Sequence, residues 1–401
     1  MQMATLLSLV FAAATAAANP VALPVPLPAQ HAAVAPGQDD ARADPAQPAA
    51  TSAAIAASPL LPPPSPAVLL AVPPELQRLL REKVTYRGSQ DDRLRALVHL
   101  IFDEDALALR YETDATHTVA ETYAQRSANC LSFTLFFLAL AREAGITARA
   151  QEVGQVLSWW QDQRTIYNFG HVNAQVRVEG RTGTVDLDAS VLMDRRGPKV
   201  ISDERLFAHY YNNRGSELMA ASQNAEARVY YEQALKMDPT LPNIWNNLGV
   251  LDSREGKLDA ARAAYAQALR LNPAHVATLS NSVNLYRRLG DNASADAMLR
   301  QLEAIRAVDP FYQFMLGRQA ESSGQYAQAI SHYRRAVNLY PNAHQFHFGL
   351  ARVYFLTGDS RLAEREMRRA RDLGPENDRT RYQAKLEGIR RLERAGELSS
   401  R

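Results

Sequence analysis

Trp245-Asn246-Asn247-Leu248-Gly249 begins a pattern that this chain repeats. Within the unit Pro242–His275 it continues with Gly256, Ala261, Tyr265, Ala268 and Pro273. Moving back 34 residues meets Tyr211, Gly215, Ala227, Tyr231, Ala234 and Pro239, in a unit that opens at Ala208. Moving forward meets Gly290 and Ala295, then Leu316, Gly317, Gly324, Ala329, Tyr333, Ala336 and Pro341. The last step meets Leu350, Gly358, Ala363, Ala370 and Pro375. Five units keep step without one insertion. A period held this long specifies a stack of like units, each covering its neighbour's apolar face.

The period and its Trp, Gly, Ala, Tyr and Pro positions resemble the tetratricopeptide repeat. The resemblance implies two antiparallel helices per unit, brought close by small alanines, and an all-α solenoid over residues 208–377. The charge-rich helix Asn377–Ala395 that follows reads as a cap, residues 378–401 being cap and tail. Such a solenoid has a concave groove, through which a peptide or protein partner is expected. Asn213, Asn247 and Asn281 hold the sixth position of successive units, a position that in this family often faces the groove. A side-chain amide donates and accepts as a peptide group does, which makes these three the candidate partner-binding residues. Solvated polar positions are the alternative. Phe311, Phe314 and Phe348 read as inter-repeat core, with Arg318 and Arg352 at its rim.

The first half carries a different signal. Its one cysteine, Cys130, sits in Arg126-Ser127-Ala128-Asn129-Cys130, directly ahead of the apolar helix Leu131–Glu143. A thiol there meets unpaired backbone N–H groups and the positive end of the helix dipole, which favour its thiolate. Gly145 ends the helix, and a strand follows over Ile146–Val153. A strand His171–Val178, a turn around Gly180–Gly183 and a strand Thr184–Asp188 complete the segment. Cys, His and Asp in this order suggest a nucleophile, a base and an acid that orients the base. A core cysteine near an unrelated histidine is the alternative.

In its helix–strand–hairpin order, and in Ala141-Arg142-Glu143-Ala144-Gly145-Ile146-Thr147-Ala148-Arg149, this segment resembles the transglutaminase-like superfamily, relatives of the papain-type cysteine proteases. The resemblance covers about residues 75–200. It implies an α+β transglutaminase-like, papain-like domain over 75–207, with Cys130 as nucleophile, His171 as base and an aspartate as its partner. Two positions depart: Ala128 stands where the family usually has Gly, and Asn173 where it often has Trp. Asp186 and Asp188 share one face of a strand, so both are candidates. Asp186 lies nearer the usual distance after the histidine, while Asp188-Ala189-Ser190 resembles the family's Asp-Pro-Thr ending.

With 401 residues the chain has room for both domains. A net charge of +2 gives no case for nucleic acid. One cysteine excludes an internal disulfide framework and any multi-cysteine zinc site. His344 and His347 share a helical face with no further ligands beside them, so neither metal nor cofactor is expected. Residues 1–18, apolar with Ala16-Ala17-Ala18 as an A-x-A site, read as a signal peptide and imply a periplasmic or secreted protein. That stretch is shorter than the ~20 apolar residues of a membrane span, so no stable span is expected in the mature chain. Residues 19–74 hold 14 of the 21 prolines, a composition that reads as a disordered linker. Two functions remain: a cysteine acyl-transfer or amide-hydrolysing enzyme whose repeats recruit substrate, or a non-catalytic exported scaffold.

Overall fold

The computed structural model describes residues 10–12, 62–84, 88–112, 116–153, 159–162, 165–168, 171–187 and 197–394. Along these run β1 (Val10–Ala12), α1 (Pro66–Leu69), α2 (Pro74–Lys83), α3 (Gln90–Phe102), β2 (Arg110–Tyr111), α4 (Val119–Gln125), β3 (Ser127–Ala128) and α5 (Cys130–Glu143). There follow β4 (Thr147–Val153), β5 (Trp159–Asp162), β6 (Thr165–Asn168), β7 (His171–Val178), β8 (Arg181–Val185) and β9 (Lys199–Val200).

Helix α5 is the centre of this half. Every residue from Leu131 to Ala141 is buried, as a helix that is apolar all round requires. It lies against a five-stranded antiparallel sheet of order β1-β8-β7-β4-β9. Val172, Ala174, Val176 and Val178 alternate along β7 and are all buried, the period-two pattern of a strand with a core face. The β7–β8 turn is tighter than the sequence suggests. Glu179 and Gly180 both take positive φ, 50° and 79°, the two-residue geometry that matches the twist of a hairpin. Strand β8 therefore begins at Arg181 and ends at Val185, one residue short of Asp186.

Two boundaries also differ from expectation. The Pro-rich stretch is packed from residue 62 onward: Leu69 of α1 joins Leu76 and Leu80 in the core, and the Tyr211 hydroxyl donates to the Pro64 carbonyl at 2.6 Å. The apolar Leu69 gives these prolines something to bury. At the other end, part of the expected signal peptide, Val10–Ala12, pairs with β8. The rest of residues 1–18, and residues 19–61, lie outside the described residues.

The second half is all helix. The pairs are α6 (Asp203–Ala220) with α7 (Asn224–Met237), α8 (Pro242–Arg254) with α9 (Leu258–Leu271) and α10 (Val276–Arg288) with α11 (Asn292–Ala307). Then come α12 (Pro310–Ser322) with α13 (Tyr326–Leu339), α14 (His344–Leu356) with α15 (Ser360–Leu373), and the closing helix α16 (Glu376–Arg394). One contact explains much of the repeat. Gly215, Gly249 and Gly317 admit the rings of Tyr231, Tyr265 and Tyr333, and a Cβ at these glycines would lie 2.4–2.7 Å from the nearest ring carbon. The third and fifth units replace the pair by Val283 with Leu299 and Ala351 with Met367. A larger residue on one helix goes with a slimmer one on the other, which is why the third unit matches the sequence pattern weakly.

The halves share one core, from Leu69 through α5 and the sheet to Leu251 of α8. Charge joins them too. Glu152 of β4 accepts from Arg205 Nε and His209 Nε2 of α6, both at 2.6 Å, and Arg205 also donates to Asp238 at 2.7 Å. Helix α6 starts at Asp203, capped by Ser202, five residues ahead of the first repeat position. Among the described residues no helix is long and apolar enough to cross a membrane.

Candidate functional site

Cys130 is the first residue of α5, and a set of small polar side chains fixes it there. Asn129 caps the helix: its Oδ1 accepts from the Ser132 amide and its Nδ2 donates to Thr116 Oγ1, both at 2.9 Å. The Thr134 hydroxyl donates to the Cys130 carbonyl at 2.7 Å and reaches the Val172 carbonyl at 3.3 Å. One hydroxyl thus ties the first turn of α5 to the strand residue after His171. The cysteine itself is partly exposed.

His171 opens β7 with a side chain only 6% exposed. Its Nε2 lies 2.6 Å from Asp186 Oδ2. The Cys130 side chain acts on the same ring. Burial pushes this histidine towards its neutral form. The hydrogen bonds and charges of Asp186 and then Cys130 outweigh it and raise its pKa to about 10. A buried imidazole that keeps its proton at neutral pH, set between a thiol and a carboxylate, is equipped to stabilise negative charge on sulfur and to hand a proton to a leaving group.

Cys130, His171 and Asp186, three of the four candidate catalytic residues, are brought together; Asp188 lies outside the described residues. Asn173 belongs to the same cluster. Its Nδ2 donates to Asp186 Oδ2 at 2.8 Å. In the sequence it stood out only as a departure from the family pattern. Its period-two spacing from His171 was the available signal, because residues two apart on a strand reach the same neighbours.

Two of the three candidate asparagines of the repeats bond residues of the preceding unit. Asn247 Nδ2 donates to Asn212 Oδ1 at 2.9 Å and to Ser216 Oγ at 3.1 Å, while its Oδ1 accepts from Asn246. Asn281 Nδ2 donates to Asn246 Oδ1 at 3.0 Å, which also accepts from Thr278. Each amide reaches back 35 residues into the preceding unit, so the ladder is built between repeats. Asn213 is half-buried and stands outside these bonds. Asn212 and Asn246, themselves 34 apart, are the residues the sequence reading missed.

Phe346 packs against both Phe311 and Phe314, with tilted rings whose centroids lie 5.3 and 4.9 Å away, as inter-repeat core should. Phe348 is half-buried, with Arg352, Arg381 and Lys385 within 5.8 Å of its ring; Arg318 is exposed. His344 bonds Tyr382, and His347 bonds Glu366 and the Pro341 carbonyl. Among the described residues no cluster of three His, Cys, Asp or Glu could hold a metal ion.

Known proteins resemble parts of this chain. The tetratricopeptide repeat family matches residues 212–276 and 314–378. Photosystem I assembly protein Ycf3 of Rippkaea orientalis is 27% identical over 139 residues, 34% of this chain and 68% of that protein. Cellulose synthase operon protein C of Pseudomonas fluorescens is 25% identical over 167 residues, 38% of this chain but only 13% of that protein. Among solved structures, MamA of Desulfovibrio magneticus is 19% identical, covering 43% of this chain and 96% of its own, with a TM-score of 0.24. The C-terminal half of this chain is a tetratricopeptide-repeat solenoid, the architecture of a protein-interaction scaffold.

Proposed function

We propose that this protein is a scaffold that recruits a peptide or protein through its repeat groove and acts on it through a transglutaminase-like cysteine centre. The single observation that carries the chemistry is His171 set between Cys130 and Asp186, buried and 2.6 Å from the carboxylate. In this reading Cys130 Sγ attacks an amide or ester carbonyl carbon and a C–S bond forms. The C–N or C–O bond breaks as His171 gives its proton to the leaving amine or alcohol. The positive end of the α5 dipole favours the developing oxyanion. Water or an amine then attacks the thioester, His171 takes the proton, and sulfur leaves. Water gives hydrolysis; an amine gives acyl transfer. Asp186 keeps the ring oriented. Asp188 is the alternative orienting acid.

The recruiting role rests on the repeats. Asn213, Asn247 and Asn281 are proposed to meet the partner's backbone, the last two by exchanging inter-repeat hydrogen bonds for bonds to the ligand. Export to the periplasm or outside the cell completes the reading, and cell fractionation tests it.

A second reading, an exported scaffold without catalysis, is favoured by the family match, which lies wholly in the repeats. Iodoacetamide alkylation at neutral pH separates the two, with Cys130→Ser as blank. Catalysis requires the wild type to react at least tenfold faster than His171→Ala. Equal rates in the two proteins would leave the scaffold alone.

A further inference from the structure

We infer that Asn173 is a positioning residue of this site, holding Asp186 against His171 by donating to the carboxylate oxygen that His171 also engages. The inference rests on the Cys130–His171–Asp186 reading and deepens it.

Asp186 needs such a hold because of where it stands. Strand β8 ends at Val185, whose partner on β7 is Ala174, so Asp186 stands just beyond the last ladder pair. Asn173, one residue before Ala174, lies beside it. The two donors converge on one atom: His171 Nε2 at 2.6 Å and Asn173 Nδ2 at 2.8 Å from Asp186 Oδ2. Both are on β7, two apart, and therefore on the same side of the strand. Two donors on one carboxylate oxygen fix its plane. Cys130 from α5 and Asp186 from beyond β8 face the ring. On β4, Glu152 turns instead to Arg205 and His209.

The other end of the amide shows what sets its orientation. Asn173 is fully buried, yet among the described residues its Oδ1 has no hydrogen-bond partner. A buried amide normally satisfies both ends. Here the acceptor goes unmatched while the donor is aimed at Asp186. A flipped amide would set oxygen against carboxylate and lose that bond.

The test uses the full chain with Asn173→Ala, and Asn173→Leu as a second variant closer in size to the amide. Two readouts are followed against pH: the His171 ring by NMR, its signals assigned by their loss in His171→Ala, and the alkylation rate of Cys130 with iodoacetamide. Removing the donor should lower the pH at which His171 loses its proton by about one unit, and the alkylation profile should move with it. Asp186→Asn should move both further. Unchanged profiles in a folded Asn173 variant, with Asp186→Asn shifting both, would leave Asn173 a packing residue and sink the inference alone. Alkylation indifferent to His171→Ala and Asp186→Asn would remove the triad, and this role with it.

Discussion

Gly249→Ala is a sharp test of the repeat packing, because the structure reverses its usual sign. In an open helix this change stabilises by about 0.5–1 kcal/mol, since glycine loses more backbone freedom on folding. At Gly249 the new Cβ would sit 2.4 Å from Tyr265 Cε1 and 2.5 Å from Cδ1. Carbon contacts are comfortable only beyond ~3.5 Å, so the ring must retreat by roughly 1 Å. Tyr265 is 4% exposed and has little room to do so. Overpacking of this kind costs about 1–3 kcal/mol, which after the helix gain leaves a net loss of up to about 2.5 kcal/mol, centred on ~1 kcal/mol. Gly388 of α16 is the control, for a Cβ there meets nothing within 4 Å, and Gly388→Ala should stabilise by the full helix term. Tyr265→Leu, the solution the chain itself uses at Leu299, should recover much of the Gly249→Ala loss in the double variant. Urea denaturation followed by far-UV circular dichroism gives all four values. If Gly249→Ala raised the midpoint as Gly388→Ala does, the close ring–backbone approach would be refuted.

Asp186→Asn should cut turnover of any substrate found by orders of magnitude while sparing the fold, and Asp188→Asn should do so far less; equal, small effects in both would remove the acid from the proposed triad. Replacing Asn213, Asn247 and Asn281 together by alanine should weaken a captured peptide at least tenfold by calorimetric titration, each lost hydrogen bond being worth about 0.5–1.5 kcal/mol. The same variant should now also melt earlier, because two of the three amides join repeats; unchanged affinity in the folded protein would reduce them to that structural part. Stability should depend on pH through His171: its folded pKa is raised to about 10, so its contribution is complete below the unfolded value of about 6.5 and is lost as pH rises towards 10. A denaturation midpoint flat across that window, or the same slope in His171→Ala, would contradict the buried ion pair.

The repeats were legible because packing writes them into sequence: a glycine on one helix and a tyrosine sixteen residues later recur together, and where one changes the other changes with it. The order Cys130, His171, Asp186 could be read for a related reason, since helix, strand and hairpin leave local patterns. What escaped was specified by contacts between elements. Asn173 looked like a missing tryptophan until the strand pairing set it beside Asp186. Asn247 and Asn281 were read as facing outward because a single unit does not reveal the amide of the unit before it. Pro64 and Leu69 sat in a stretch whose average composition argued for disorder, and one leucine in a core outweighs an average.

The junction at Glu152 has a consequence for whatever the groove holds. Arg205 grips β4 with one arm and the end of α7 with the other, and a common core runs beneath. The solenoid therefore cannot swivel on the sheet as a tethered module would. On the function proposed above, distance along the groove becomes distance from the sulfur, and the array would work as a ruler graduated in repeats. A guest seated in it would offer Cys130 a residue chosen by its place in the chain as much as by its chemistry. Lengthening the array by one whole unit would then move the point of attack without touching the site.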